Sequence, residues 1–348
     1  MIAKMKITLL FGILIIASSC NGQAKHSETT SNPGTTVSSI DKSIWVIFQD
    51  KKNNYWFGSN GNGVYCYNGK TLKQFTTKDG LSSNQIRGIQ EDASGNLFFD
   101  TPNGVTKFNG NQFVTLVPFK SIVNQWKTEP NDLWFKCGGE LTGAYRYAND
   151  TLYHLEFSTI SSKKIDSKYA VYSIYKDKQG NIWFGTLTAG VCRFDGTTFH
   201  WITEPELFTL EDGRTPGVRS ILEDKDGSFW FSNILYQYEI KDNHEKSKQT
   251  LEYEKVKKID SSRQKVTMEL PYYTSAVMDN NNNIWMTNYN EGVWKYDGKN
   301  LTNFKLKEGG ANVLIVSVYK DNFGYLWLAT DNAGVYKLND KTFEKFNF

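Results

Sequence analysis

The chain of 348 residues has only four histidines, four cysteines and seven prolines. Beyond residue 20 no stretch repeats apolar residues at the spacing of an amphipathic helix, which excludes an α-helical domain. Neither sign of charge dominates. The formal net charge is +3, and it falls to +1 without residues 1–20, which hold Lys4 and Lys6 and no acid. Lys258, Arg263 and Lys265 form a diffuse charged stretch rather than a basic groove interleaved with aromatics, so nucleic acid is not an expected partner. Past Cys20 the remaining thiols are Cys66, Cys137 and Cys192. An odd number without a Cys-x-x-Cys pair argues against a disulfide framework or a zinc site, and free thiols are expected.

What the chain does have is 15% aromatic residues, 28 glycines and a repeat. The stretch 177–196 reads as a turn, a strand (Ile182, Trp183, Phe184), a tight loop at Gly190, a second strand, and a turn at Asp195 and Gly196. β-Branched and aromatic residues bounded by Gly, Asn and Asp are the signature of strands and hairpins. Seven copies occur, with anchors at Trp56, Phe98, Trp134, Trp183, Trp230, Trp285 and Trp327, spaced 36 to 55 residues apart. Before each anchor lies an apolar strand ending in an acid, at 46–50, 86–92, 123–129, 171–177, 218–224, 274–279 and 315–321. After most anchors come a Gly-Val-aromatic strand and a short fourth strand. Four strands per unit at this period predict a β-propeller blade. A single four-stranded sheet cannot bury both faces alone, and seven blades closing a ring satisfy every unit. The expectation is an all-β, seven-bladed β-propeller of four-stranded antiparallel blades over residues 43–348.

The run Asp177, Gly180, Asn181, Ile182, Trp183, Phe184, Gly185 and Thr186, followed by Gly190, Val191, Arg193, Phe194, Asp195 and Gly196, resembles the repeat of the two-component regulator propeller family. The resemblance spans about 43–348. It is weaker in the second blade, where Phe98 replaces Trp, and in the third and fifth, where Lys136 and Ser232 replace Gly. It implies kinship with the periplasmic sensor regions of hybrid two-component systems and with free-standing lipoproteins of Bacteroidetes-type bacteria. The family's signalling proteins add a transmembrane helix and a kinase, and no kinase function is carried over.

Residues 1–20 read as a signal segment: Lys4 and Lys6, a short apolar run over 7–17, then Ser18, Ser19 and Cys20. The run is shorter than the roughly 20 residues of a membrane-spanning helix. Small residues before a cysteine resemble a bacterial lipobox, which makes Cys20 the expected lipid anchor. Asn21, in place of an Asp, points to the outer membrane. Residues 21–42 are rich in Ser, Thr, Asn and Gly and read as a flexible tether. The last blade supplies its own fourth strand and the first its own innermost one, so no blade is shared between the two ends. Residues 36–40 are left as a further edge strand or as tether. In the fifth unit, 251–259 is expected as the outer strand, flanked by charged loops at 242–250 and 260–265.

Propeller ligands usually sit at the mouth of the central channel. Four residues before the acid stand Val46, Gly88, Gln125, Ser173, Ser220, Ser275 and Ser317, mostly small, as crowding about an axis requires. Five before it stand Trp45, Arg87, Asn124, Tyr172, Arg219, Thr274 and Val316, which vary in size and charge. The approach to the sixth inner strand adds Tyr272, and the loops between second and third strands add Asn60, Glu140, Asn290, Glu291 and Asp331. The candidate ligand-binding set is therefore Trp45, Arg87, Asn124, Tyr172, Arg219, Tyr272, Glu291 and Asp331. Rings stack on sugar faces and Arg pairs with carboxylates, which suits an oligosaccharide or another small polar ligand.

The repeated acids Asp50, Asp92, Asp177, Asp224 and Asp321 read as hairpin turns rather than calcium loops, since Asp224, the nearest match, lacks the distal Glu. No metal and no cofactor are expected. Streptogramin-lyase-like proteins also form seven-bladed rings with related repeats, so fold alone does not exclude catalysis. Against it, His26, His154, His200 and His244 fall in the tether, in outer strands or in the charged excursion, and no Gly-x-Ser-x-Gly occurs. The chain is read as a binding module with no catalytic residue. A protein-binding scaffold at the cell surface is the alternative.

Overall fold

The computed structural model describes residues 33–120, 126–137, 143–157, 170–241, 250–259 and 271–348. Cys20, His26, Asn124, Glu140, His244 and the charged segments 242–249 and 260–270 lie outside the described residues. Seven antiparallel blade sheets follow one another along the chain, with a two-stranded ribbon, Lys307–Glu308 and Ala311–Asn312, between the sixth and the seventh. The fourth blade shows the pattern: Val171–Lys176, Ile182–Thr186, Val191–Phe194 and Phe199–Ile202 pair in sequence order.

One carboxylate organises the first turn of every blade but the third. Asp177 accepts the backbone N–H groups of Gln179 at 3.0 Å and Asn181 at 2.8 Å, the Asn181 side-chain amide at 2.9 Å, and the indole N–H of Trp183 at 2.8 Å. Asp50, Asp224, Asp279 and Asp321 hold Trp56, Trp230, Trp285 and Trp327 in the same way. Asp92 keeps the backbone bonds, but its anchor is Phe98 and donates nothing. These oxygens are occupied by N–H donors, as the turn reading requires.

The anchors then build the ring. Seven apolar clusters lie one at each junction between neighbouring blades. In each, the anchor of one blade meets the residue after the anchor of the next. Ring centroids lie 5.7 Å apart for Trp56 and Phe99, 5.9 Å for Phe98 and Phe135, and 5.7 Å for Trp134 and Phe184. Trp183 meets Phe231 at 5.7 Å, and the circle closes where Trp327 meets Phe57 at 6.3 Å. Each sheet thus covers both faces against neighbours.

Closure uses no shared blade. Ile44–Gln49 belongs to blade 1 and Ile315–Lys320 to blade 7, and hydrogen bonds join them. Ser317 donates to the Trp45 carbonyl at 2.9 Å, and the Tyr319 hydroxyl accepts the Gln49 N–H at 2.9 Å. Within the stretch expected as tether, Thr35–Val37 is a strand on the outer edge of blade 1, paired with Leu72, Lys73 and Gln74. Val37 and Ile40 pack into the closing cluster.

Blade 3 departs from expectation. Its described strands are Leu133–Lys136, Ala144–Ala148 and Thr151–Leu155. Of the inner strand expected over 123–129, residues 126–129 are not strand, and 123–125 lie outside the described residues. Trp126 instead joins an aromatic stack with Trp134, Phe157 and Phe199, donating to the Glu156 carbonyl at 3.0 Å. In blade 5 the outer strand is Glu252–Lys257, inside the expected span.

Cys66, Cys137 and Cys192 are free thiols. Burial pushes the Cys66 thiol up to about 12 and holds the other two well above their ordinary value.

Candidate functional site

The small residues that line the inner strands do more than make room. Ser173 donates to the Val218 carbonyl at 2.8 Å, and Ser220 accepts the Ala276 N–H at 3.1 Å. Ser275 accepts the Val318 N–H at 3.3 Å, and Ser317 reaches Trp45 as above. Each hydroxyl ties one inner strand to the next, so the wall of blades 4 to 7 and 1 is cross-linked.

Among the described residues blade 3 shows no such strand, and a cavity of about 470 Å³ lies between blades 2, 3, 4 and 5. Its walls come from the inner strands of blades 2, 4 and 5, with Gly88, Tyr172, Ser173, Arg219 and Ser220, and its back from Asp132, Trp134 and Lys136. Side chains of blade 2 cap the inner edge of the third blade: Gln90 donates to the Trp134 carbonyl at 2.7 Å, and the Asp100 carboxylate takes the Lys136 N–H.

Asp100 and Lys136 occupy the second position after the anchor. In the other five blades that position holds Gly58, Gly185, Ser232, Thr287 and Ala329. Space explains the rule: a Cβ on Gly185 would stand 2.2 Å from the Ser173 hydroxyl and 2.4 Å from the Val218 carbonyl. The two neighbouring exceptions are an acid and a base, and both line the cavity. Burial pushes the Asp100 carboxyl up to about 6, against the pull of Lys136 and Arg87. Burial lowers the Lys136 ammonium below its ordinary range; Asp100 opposes this, while Arg87 and Arg219 add to it.

Of the expected site residues, Arg87, Tyr172, Arg219 and Tyr272 gather here. The Arg87 carbonyl accepts the Lys136 ammonium at 3.1 Å. The Arg219 guanidinium lies 4.4 Å from the centre of the Tyr172 ring, with its Nε donating to the Pro216 carbonyl at 3.0 Å. The Tyr272 hydroxyl donates to the Gly217 carbonyl at 3.0 Å, and burial raises its phenol despite nearby Arg219.

Trp45 and Asp331 form a separate group. The Asp331 carboxylate accepts the Trp45 indole N–H at 2.8 Å, the Tyr289 hydroxyl at 2.6 Å and the Ser43 hydroxyl. It ties blades 1, 6 and 7 together, so both residues act in closure. Glu291 sits apart in the sixth blade, its N–H donating to the Asn288 side chain at 3.3 Å and its carbonyl accepting Asn303. Asn124 and Cys20 lie outside the described residues. Sequence reasoning missed Asp100 and Lys136 as site residues. The signal was present, because Lys136 stood out where the repeat has Gly, but it was read as decay of the motif.

His154 and His200 lie in the outermost strands Thr151–Leu155 and Phe199–Ile202, away from the cavity. Among the described residues no group of His, Cys, Asp and Glu is arranged to hold a metal ion. No described helix is long and apolar enough to cross a membrane.

Fold and site together define a β-propeller with a charged cavity beside its inner strands. Residues 38–61 and 166–188 match the two component regulator propeller family, so two stretches of the chain are similar to that family's repeat. No curated protein sequence matches the chain. Among solved structures, it is similar to the extracellular domain of a hybrid two component system protein from B. thetaiotaomicron, with 20% identity and a TM-score of 0.59 over 88% of this chain. This chain spans 39% of that one. It is equally similar to streptogramin B lyase, with 15% identity and a TM-score of 0.61 over 88% of this chain and 96% of the other. Virginiamycin B lyase from Staphylococcus aureus gives 12% identity and a TM-score of 0.60, over 87% and 97%. At these identities the likeness is one of fold.

Proposed function

We propose that the protein is an extracytoplasmic, sensor-like propeller, tethered to the outer membrane through a lipid on Cys20, that binds a small polar ligand such as a glycan. The repeats shared with two component regulators support the sensor-like reading. The observation that carries the binding site is the Arg219 guanidinium fixed over Tyr172 at the wall of a cavity of about 470 Å³, a size within the roughly 300–1,000 Å³ of small-ligand pockets. Binding rather than catalysis fits the described histidines, none of which lines that cavity.

A thermal-shift screen of the chain against oligosaccharides and cell-wall fragments tests this reading. A ligand at a hundred times its dissociation constant adds about 2.7 kcal/mol, which is easily seen as a higher melting temperature. A hit that Arg219→Ala loses while retaining the fold supports a receptor. A flat screen points to the scaffold alternative, with a protein partner. For the anchor, Cys20→Ser should release the protein from the membrane fraction; retention there would refute lipidation at this residue.

A further inference from the structure

We infer that the ligand of this cavity is an acid: a small hydroxylated carboxylate, of the kind found in acidic sugars, with its negative charge received by Lys136 and Arg219. This rests on the binding reading above and adds the chemical class.

The argument is one of charge balance. Lys136, Lys176 and Arg219 line the cavity with Asp100 and Asp132. Asp132 is committed to Arg146, whose Nε donates to it at 2.5 Å, and the two terminal amino groups of that buried guanidinium have no acceptor. Asp100, which also takes the Lys136 N–H, is then the one lining carboxylate left to offset three cations. The three cations are held in place by neutral groups: Lys136 by the Arg87 carbonyl, Lys176 by the Glu129 and Pro130 carbonyls, and Arg219 by the Pro216 carbonyl and the Tyr172 ring. Among the described ion pairs none involves these three residues or Arg87. Carbonyls and ring faces orient a cation without neutralising it. Lys176 and Arg219 are exposed and Lys136 is half-buried; holding a half-buried ammonium beside two further cations is costly unless an anion joins them. Cations fixed beforehand lose little freedom when it does.

Asp100 adds selectivity. A simple inorganic anion would meet its carboxylate as a like charge, whereas a hydroxyl next to the ligand's acid group can donate to it. Lysine and aspartate where five blades place a small residue are therefore read as the two ends of one recognition element.

The test is isothermal titration of the full chain with a panel of sugar acids, including glucuronate and galacturonate oligomers, and with their carboxyl-reduced neutral counterparts. The expected result is binding of an acid, at least tenfold weaker binding of its neutral counterpart, and loss of affinity with added salt. Lys136→Met should weaken acid binding at least tenfold. Exposed Arg219→Met should do the same without a folding defect, and Asp331→Asn, outside the cavity, should not. If neutral counterparts bind as well as the acids, the inference fails and the small-ligand reading stands. If no member of either set binds, both fail.

Discussion

The indole N–H of Trp183 donates to the Asp177 carboxylate at 2.8 Å, whereas the equivalent indole N–H of Trp134 is buried with no partner. The two rings hold equivalent places in neighbouring blades and are almost fully buried, at 1% and 5% exposure. The difference comes from the turn. The first turn of blade 4 begins with Asp177, six residues before its anchor; that of blade 3 is one residue shorter, with Glu129 at its start and Asp132 committed to Arg146.

That pair of tryptophans gives a controlled comparison. Replacing either by Phe removes similar apolar volume, but only Trp183→Phe removes a hydrogen bond to a charged acceptor, which is worth about 1.5–3 kcal/mol. Trp183→Phe should therefore destabilise the protein by about 2 kcal/mol more than Trp134→Phe, read as midpoints of urea unfolding. Equal losses would mean that the indole bond contributes nothing beyond packing.

A second comparison concerns close approach. At Gly185 an added methyl would press on the Val218 backbone carbonyl as well as the Ser173 hydroxyl. Gly185→Ala should cost about 1–3 kcal/mol by overpacking. Adding Ser173→Ala should recover little of it, because the carbonyl remains. Full rescue by the double variant would show that the inner strands shift freely.

Much of the ring was legible because one geometric requirement repeats. An acid six residues before an aromatic anchor sets both the turn and the inter-blade contact, and it recurs often enough to count blades. The edge strand at Thr35–Val37, which overlaps the 36–40 stretch left open between strand and tether, carries no apolar alternation, since its partner is an exposed sheet edge. Two features escaped for physical reasons. Trp126 looked like part of an inner strand, yet its large ring finds more partners among Phe157, Phe184, Phe194 and Phe199. Asp100 and Lys136 are individually unremarkable, and their meaning depends on two adjacent blades departing from the small-residue rule together. Trp45 stands at a position that differs between blades and Asp331 in a loop between second and third strands; their bonds to each other and to Ser43 and Tyr289 join blades 1, 6 and 7.

Closure itself should depend on acidity. Burial works against ionisation of Asp331, but the Ser43, Tyr289 and Trp45 donors outweigh it and hold the carboxyl below its ordinary 3.8. A depressed folded value means that its contribution is complete above the unfolded value and lost as pH falls through the folded one. Asp331→Ala should lower the melting temperature at pH 7, and the gap to wild type should narrow as pH falls below the ordinary 3.8 of an aspartate. A gap that stays constant with falling pH would show that the lost contacts, and not the charge, matter.

The last prediction separates Asp100 from its surroundings. Its carboxyl, raised to about 6, faces Gly88 on its own blade and Lys136 and Arg87 around the cavity. Between pH 7.5 and 5.5 it takes up a proton, while a sugar acid, with a carboxyl near 3.5, stays ionised. Removing the like charge should strengthen acid binding several-fold over that interval, with a midpoint near 6. The lowered Lys136 ammonium would add a loss of affinity only toward higher pH. Asp100→Asn should flatten the profile below pH 7 and bind at pH 7.5 as the wild type does at 5.5. Titrations at four pH values check this, and an unchanged slope in Asp100→Asn would rule out Asp100 as its source.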